Sequence, residues 1–424
     1  MTGKHARIGA GAAAALLGAS MLTPAFAGSA GACDACALEA RVATLEAQMA
    51  QAKRGGVDVP SDLTLKFGGY VKADFAYDLN KQTGNTQFAP GLFTSREGGF
   101  QAHAQQTRFN FTATKDTALG PIKAFFEGDF FSSTGNQAIS NSNTFRMRHA
   151  FVEWNGVLAG QTWSNFMPIA FYPSTLDFQG PSGITFIRQA QLRITREVMP
   201  GLKLSVSAEN PETIDGRNAA GPDLIFGTPD DIIAGGSNVN TNEDLPDFTA
   251  ALHYVQPKYQ FRLAGVIREL EGQGPTAGSQ SNETGYGISA GGEVKPWAGG
   301  SIMGNFTWGK GIGRYLIDGA FINGGDLRSD TLATDDIEQW GAVASVTQQL
   351  TDVIRVGLTG GYHKVEDTFL PTDIEEIRTV HGTVFWTPVE RLTIGGEVSW
   401  FEAERANGGD AENLRVQAAM QFNF

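Results

Sequence analysis

Arginine side chains recur at alternate positions in two segments of the chain. Arg108 and Asn110 alternate with phenylalanines, and Arg146 and Arg148 flank Met147. Because successive side chains of an extended strand point to opposite faces, each segment places its apolar residues on one face and its polar residues on the other. A guanidinium presents a planar fork of donors that matches a carboxylate. The spacing therefore predicts a cationic surface that attracts acidic groups.

Two further arginines, Arg188 and Arg193, lie farther along the chain. Their odd spacing puts them on opposite faces of a regular strand, so only one is expected beside the other arginines unless a bulge intervenes. A structural interpretation is the alternative. In that case the arginines pair with Glu127, Asp129 and Glu153 and hold the wall of a sheet rigid.

Alternation of apolar and polar residues extends from residue 64 to the end of the chain. In its first segment Leu65, Phe67 and Val71 share one face, whereas Lys72 and Asp74 share the other. This period of two predicts β-strands with one apolar face each. The sixteen predicted strands are 64–78, 100–115, 120–131, 143–154, 156–163, 184–196, 201–209, 247–256, 258–270, 284–296, 299–309, 337–349, 352–364, 377–387, 390–404 and 412–424.

The intervals between these strands alternate between short turns and long loops. The long intervals are 79–99, 132–142, 164–183, 210–246, 271–283, 310–336 and 365–376. Short periplasmic turns and long outer loops are typical of bacterial outer-membrane barrels, whose strands face lipid on one side and the lumen on the other. The predicted fold class is therefore an all-β, transmembrane antiparallel β-barrel of about 16 strands, preceded by a short helical coiled-coil segment.

The chain ends in Phe424, on the apolar parity of the last predicted strand. A terminal aromatic residue in such a strand is the signal that the barrel-insertion machinery reads, so this machinery is a predicted partner. An ordinary edge strand of a soluble sheet is the alternative interpretation of the same pattern.

The amino-terminal 60 residues have a different organisation. A basic start, an apolar stretch and a small-residue cleavage pattern ending at Ala27 predict a secretory signal peptide over residues 1–27. Residues 28–60 follow as a periplasmic segment, in which apolar residues at intervals of four and three predict a short helix or coiled coil. Residues 61–424 form the predicted barrel.

Cys33 and Cys36 lie just before this helix. The pair lacks the βαβ surroundings of a thioredoxin-like redox site, and two sulfurs are too few for a zinc site within one chain. The favoured interpretation is a structural or incidental role, with pairing locally or between subunits in the oxidising periplasm. Lipidation of Cys33 is the weaker alternative.

A sixteen-stranded barrel encloses an aqueous channel, whereas eight strands are filled by side chains. The interval 164–183 is rich in phenylalanine and proline and carries a single charge. We expect such an apolar loop to fold against the inner wall and to form a constriction. Its candidate residues are Phe166, Phe171, Tyr172 and Asp177. The alternative is that these aromatic side chains form a contact between subunits.

The interval 221–236 is similar to the Gly/Asp repeat of calcium-binding β-rolls, with Asp223, Asp230 and Asp231 as candidate ligands. Because the repeat is short and irregularly spaced, an ordinary acidic surface loop is the preferred interpretation. No cofactor is expected. A nucleic-acid partner is not expected either.

Several motifs occur together and in order in the amino-terminal half of the chain. They are a Leu-x-x-x-Val-x-x-Leu helix, Phe67-Gly68-Gly69-Tyr70-Val71-Lys72, Gln106-Thr107-Arg108-Phe109-Asn110-Phe111, Phe145-Arg146-Met147-Arg148-His149-Ala150-Phe151 and Gly160-Gln161-Thr162-Trp163-Ser164-Asn165-Phe166. This set resembles the DcaP-like outer-membrane porins of Gram-negative bacteria. Beyond residue 200 the resemblance is one of barrel type only, and the cysteine pair is not a feature associated with that family.

The resemblance implies a homotrimer in the cell outer membrane with a periplasmic amino-terminal coil. It also implies diffusion of small anionic solutes such as dicarboxylates through an arginine-lined pore. Arg108, Arg146 and Arg148 are then the foremost eyelet residues, with Arg188 and Arg193 as further candidates.

Other functions are weighed against this one. An enzyme is not expected, because no histidine lies in a motif such as G-x-S-x-G or H-E-x-x-H, and His149 is assigned to the lipid-facing parity. A carbohydrate-selective porin would need an aromatic track along the lumen, but most Phe and Trp residues have lipid-facing parity. A general porin and a mainly structural envelope protein are the remaining alternatives.

Overall fold

The computed structural model describes residue 41 and residues 62–80, 98–132, 136, 138–215, 238–240, 243–273, 280–322, 325–329, 334–368 and 370–424. Arg41 is helical. The predicted signal peptide, the cysteine pair, the rest of the periplasmic segment and the loop with the three candidate calcium ligands lie outside these residues. Within them, no helix is both long and apolar enough to cross a membrane.

Sixteen antiparallel strands form a closed barrel, as the alternation predicted. The first strand pairs with the last, from Tyr70 opposite Asn423 to Asp78 opposite Arg415, which closes the sheet. The strands are β1 Thr64–Asp78, β2 Phe100–His103 with Arg108–Lys115, β3 Ile122–Asp129, β4 Arg146–Trp154, β5 Val157–Trp163, β6 Arg188–Met199, β7 Leu202–Glu209, β8 Asp247–Gln256, β9 Tyr259–Gln273, β10 Gln280–Val294, β11 Gly300–Lys310, β12 Glu338–Gln349, β13 Ile354–Val365, β14 Ile374–Val389, β15 Leu392–Arg405 and β16 Asp410–Asn423.

The barrel is apolar outside and polar inside. On β1 the side chains of Phe67, Val71 and Phe75 are exposed on the outer face, whereas Lys72 and Asp74 from the alternate positions are buried inside. This arrangement is the reverse of that of a soluble protein, and it suits a wall surrounded by lipid. Pairing between strands satisfies the backbone, for which hydrocarbon offers no hydrogen-bond partner.

The carboxyl terminus takes part in the seam between β1 and β16. Phe424 and Gly69 exchange backbone hydrogen bonds of 3.1 and 3.3 Å. The Phe424 ring also stacks on Phe67 with centroids 5.6 Å apart. The last residue is therefore fixed on the outer face beside the closing strand pair.

Two loops fold into the barrel. The inner loop (residues 164–187) joins β5 to β6, and the second loop (residues 311–322) follows β11. Their backbones are joined by hydrogen bonds of 2.9 Å, from Ile317 to Ile184 and from Phe186 to Tyr315. The sequence predicted that the inner loop folds inward, but it gave no such indication for the second loop.

An apolar cluster holds both loops against the wall. Its buried members are Phe166, Ile187, Ala251, Ala264, Val266, Ile312, Tyr315 and Leu316. The 3-10 turns Ile169–Phe171, Gly313–Tyr315 and Gly319–Phe321 lie within these two loops. Burial of apolar area is non-directional, so this cluster supplies much of the stabilisation that keeps the two loops inside.

A separate small sheet is built from the strands Thr213–Asp215, Asn238–Asn240, Leu327–Ser329 and Thr334–Asp336. It is linked to the barrel through Arg268, whose guanidinium is fully buried and lies 3.3 Å from Asp247 and 2.9 Å from Asp326. The three side chains connect β8 and β9 to the long loop after β11.

Candidate functional site

Buried carboxylates hold the inner loop by accepting hydrogen bonds from its backbone. Near its start, the N–H of Asn165 donates to Glu209 at 2.8 Å. At its apex, the N–H groups of Leu176 and Asp177 donate to Glu397 at 2.6 and 3.2 Å. Because an unpaired buried N–H is costly, these acceptors define the path of the loop across the lumen.

The returning end of the inner loop is fixed at Gly183. Its N–H donates to Asp318 of the second loop at 3.1 Å, and the N–H of Ser182 donates to Thr379 at 3.0 Å. Gly183 has a φ of +74°, and a Cβ atom there would lie 2.0 Å from the carbonyl oxygen of Tyr362. Only glycine fits both the turn and the close approach.

The carboxylate of Asp177 is bound to the barrel wall. Its carboxylate lies 3.2 Å from the guanidinium of Arg415, which also binds Asp78 at 2.8 Å. Lys72 donates to the carbonyl of Leu176 at 3.0 Å. The apex of the inner loop is therefore tied to β1 and β16, where Arg415 is shared between Asp78 and Asp177.

The predicted aromatic residues of the inner loop divide between its two sides. Phe166 and Phe171 are fully buried on the side that packs against the wall, where they contact Tyr315 and His253 edge to face at 5.3 and 6.2 Å. Tyr172 lies on the other side and lines the cavity described next.

A cavity of about 220 Å³ lies between the inner loop and strands β1, β2, β4 and β5; we call it the loop–wall cavity. Its lining residues are Tyr70, Gln106, Arg108, Arg148, Trp163, Ile169, Tyr172, Thr175, Asp177, Phe178 and Phe186. Arg108, Arg148, Tyr172 and Asp177 are the predicted site residues among them.

Three of the predicted arginines share two carboxylates beside this cavity. Arg146 binds Asp129 through two hydrogen bonds of 2.9 Å. Arg148 binds Glu127 and Asp129 at 3.0 Å each, and Arg108 lies 3.4 Å from Glu127. The pairing that the structural interpretation required is therefore present for these arginines. This pairing orients the guanidiniums. Because three arginines share two carboxylates, the group keeps an excess of positive charge.

Arg188 adds a fourth positive charge to the group. Its guanidinium carbon lies 4.6 Å from the ring centre of Trp163 and 5.3 Å from that of Phe186, both of which line the loop–wall cavity. Among the described residues no carboxylate lies within 4.0 Å of Arg188. Its Nη1 is buried without a hydrogen-bond partner. Arg188 is therefore a cation held mainly by aromatic faces.

Arg146 is placed behind an aromatic pair rather than in the cavity lining. Its guanidinium carbon lies 5.7 Å from the ring centres of both Phe131 and Phe178. These two rings stack with centroids 4.0 Å apart. Phe178 thus lies between Arg146 and the cavity, while the side chain of Arg146 remains 29% exposed.

Arg193 and Asn110 do not belong to the loop–wall cavity. Arg193 stands opposite the buried Leu158, and its neighbouring charges are those of Glu209 and Glu153. The amide of Asn110 stands against Gly68 on β1. Both are half-buried positions on the strands and are not among the cavity lining.

The prediction that His149 faces lipid is wrong. A bulge between Glu127 and Gly128 pairs these residues with His149 and Met147, so Arg148 is an extra residue on β4. One extra residue reverses the parity of the positions that follow it. His149 is accordingly buried, with its Nδ1 3.0 Å from the hydroxyl of Thr162.

Sequence reasoning missed the aromatic lining from Trp163 and Phe186. Trp163 is the last residue of β5, and Phe186 lies in the inner loop although the sequence placed it in the predicted strand 184–196, so strand alternation does not report their faces at these ends. The one available signal was their position at the two ends of a Phe-rich interval. Within the described part of the chain, no group of three His, Cys, Asp or Glu side chains is placed to hold a metal ion.

We expect Glu397→Gln to loosen the apex of the inner loop. Hydrogen bonds to a charged acceptor are worth about 1.5–3 kcal/mol each, and the amide retains only part of this. Single-channel recordings should show larger current fluctuations than in the wild type. Glu412→Gln, which changes an outer-rim carboxylate near Trp400, is the matched control. Equal fluctuations in the two variants would contradict the assigned role of Glu397.

The comparisons with known proteins agree with this architecture. A family model described as the porin subfamily matches residues 55–423. The outer-membrane channel DcaP of Acinetobacter baumannii is similar in structure, with a TM-score of 0.73 and 18% identity over 87% of this chain and 99% of that chain. A search of curated protein sequences gives no match.

Two more distant structures share the barrel. The anion-selective porin of Comamonas acidovorans has a TM-score of 0.52 and 12% identity. The match covers 85% of this chain and 100% of that chain. The trimer form of OmpT of Vibrio cholerae has a TM-score of 0.52 and 9% identity, and the match covers 86% of this chain and 100% of that chain. The family match spans nearly the whole described barrel, and porins are channels rather than enzymes. The chain therefore belongs to the porin subfamily and is a diffusion channel of the Gram-negative outer membrane.

Proposed function

We propose that this porin prefers anions and passes small acidic solutes such as dicarboxylates. One observation carries the proposal: four arginines surround the loop–wall cavity or its aromatic walls, but only two carboxylates pair with them. The pore residues in this proposal are Arg108, Arg146, Arg148 and Arg188, with Asn110 and Arg193 farther from the narrowest part. The inner loop forms the constriction, with Tyr172 and Asp177 on its open side.

The excess positive charge acts on solutes in a confined space. Low-dielectric walls focus the field of fixed charges, which raises the local concentration of anions and repels cations. Glu127 and Asp129 hold Arg108 and Arg148 in place without cancelling the group. The formal charge of −13 for the whole chain does not oppose this effect, because exposed charges more than a Debye length away are screened.

Changing Arg108, Arg146 and Arg148 together to Ala tests the proposal. The reversal potential of the purified protein in a planar bilayer under a salt gradient should indicate anion preference in the wild type. In the variant this preference should be lost or reversed, because Glu127 and Asp129 remain without partners.

A matched control removes three arginines elsewhere. Arg196 and Arg391 stand at strand turns, and Arg378 is part of an ion-pair group with Glu376 and Glu402. The combined change of these three to Ala alters net charge equally and should leave selectivity unchanged. If both triple variants shift the reversal potential by the same amount, the cavity arginines are not the selectivity determinant.

A carbohydrate-selective channel is the second candidate function. The observation in its favour is the aromatic lining of the cavity by Tyr70, Trp163, Tyr172, Phe178 and Phe186, which is richer than the sequence predicted. Liposome swelling rates compare the two. Under the first proposal a dicarboxylate enters faster than a neutral sugar of similar size, and the reverse order would favour the carbohydrate channel.

We further propose that the mature protein is a homotrimer whose signal peptide, residues 1–27, is removed, and whose residues 28–60 form a periplasmic coil. Phe424 is proposed as the element read by the insertion machinery. The trimer form of OmpT, which shares the barrel, supports this assembly. Chemical cross-linking in membranes should yield a three-chain species, and monomers alone would contradict the assembly.

A further inference from the structure

Asp318 of the second loop is a fully buried carboxylate at the contact with the inner loop. It accepts hydrogen bonds from the backbone N–H of Gly183 at 3.1 Å, from the side-chain amide of Gln179 at 3.5 Å and from the hydroxyl of Ser182. All three donors belong to the inner loop, so a single carboxylate connects the two loops that fill this side of the barrel.

The charge of Asp318 has no cationic partner. Among the described residues no Lys or Arg lies within 4.0 Å of it, and the one basic side chain within that distance is the imidazole of His363 on β13, with Nδ1 3.9 Å from Oδ2. His363 is itself buried. Its Nε2 lies 3.0 Å from the amide oxygen of Gln339 on β12, whereas its Nδ1 has no hydrogen-bond partner among the described residues. A lone ionised carboxylate in such surroundings is costly.

The other anchoring carboxylates differ from Asp318. Glu397 also faces a histidine, His381 at 3.1 Å, but it accepts further hydrogen bonds from the hydroxyls of Thr383 and Ser399 at 2.6 and 2.8 Å. Its negative charge is therefore well solvated by the protein. Asp318 receives fewer donors, from Gly183, Ser182 and Gln179, and burial outweighs them and raises the pKa of its carboxyl to about 6.

We propose that Asp318 and His363 form a proton-operated latch between the second loop and the inner loop. The latch is closed when the pair holds a proton on an Oδ of Asp318, because Nε2 of His363 already donates to Gln339 and burial disfavours a second proton on that ring. Loss of that proton leaves a buried, unpaired negative charge and loosens the contact at Gly183. The effect of the latch on conduction rests on the proposal that the inner loop forms the constriction. The existence of the latch does not depend on that proposal.

The direction of the pH effect follows from linkage. The docked loops bind the proton more tightly than the undocked loops, in which Asp318 has its ordinary pKa of 3.8. Docking is therefore strongest below that value and is lost progressively as pH rises through 6. Over this window the docking equilibrium should change by roughly a hundredfold.

Thiol accessibility measures docking without any reference to conduction. Ile184→Cys, in a protein whose Cys33 and Cys36 are replaced by Ser, puts a thiol at a position that is 1 % exposed beside the latch and does not bind Asp318 through its side chain. Its labelling rate with a water-soluble thiol reagent is divided by that of the exposed control Ser142→Cys, which corrects for thiol ionisation. The normalised rate should rise many-fold between pH 5 and pH 8, with a midpoint near 6.

Asp318→Asn keeps the shape and the acceptor oxygen but cannot ionise. In this variant the normalised labelling rate should stay low across the whole pH range. His363→Gln, which removes the neighbouring proton site, should move the midpoint. A pH-dependent rate in Asp318→Asn equal to that of the wild type would overturn the latch, and so would a flat rate in the wild type.

Bilayer currents then separate the latch from the proposed pore function. If labelling depends on pH but conductance does not, the latch stands and the inner loop is not the constriction. The reversal potential at one fixed pH reports anion preference independently of both results.

Discussion

Closure of the strand ladder is the constraint on which the rest of the structure depends. In a hydrocarbon environment an unpaired backbone group has no alternative partner, so the first and last strands must meet. Their pairing runs from Tyr70 opposite Asn423 to Asp78 opposite Arg415, and Phe424 extends it by bonding to Gly69. Once the ladder is closed, every second side chain points into the lumen, and the chemistry of the channel is decided there.

The lumen is divided unequally by two inward loops. The inner loop and the second loop fill one side with an apolar cluster around Phe166 and Tyr315. The opposite side, beside β1 to β5, keeps the loop–wall cavity. Backbone N–H groups of the inner loop need acceptors wherever they are buried, and Glu209, Glu397 and Asp318 provide them. The position of the cavity is thus set by carboxylates that do not line it.

The arginine group reconciles two interpretations that the sequence kept apart. Glu127 and Asp129 fix the guanidiniums of Arg108, Arg146 and Arg148, as a structural role requires. Arg188 is held by aromatic faces instead, so the group retains an excess of positive charge. Fewer carboxylates than arginines orient the group, which gives a rigid wall and supports the proposed preference for anions. Asp177 is bound by Arg415, which it shares with Asp78.

The sequence by itself determined the features that follow from local alternation. A period of two defines a strand wherever one face is apolar, so the sixteen strands, the closed barrel, and the inward positions of Arg108 and Arg146 were predictable. The composition of the inner loop also indicated that it folds inward. Tertiary structure alone decided the bulge at Glu127, which turned His149 inward. It also brought Arg188 beside Trp163 and buried the second loop with Asp318. These features depend on contacts between residues far apart in the chain, and a period along the sequence carries no information about them.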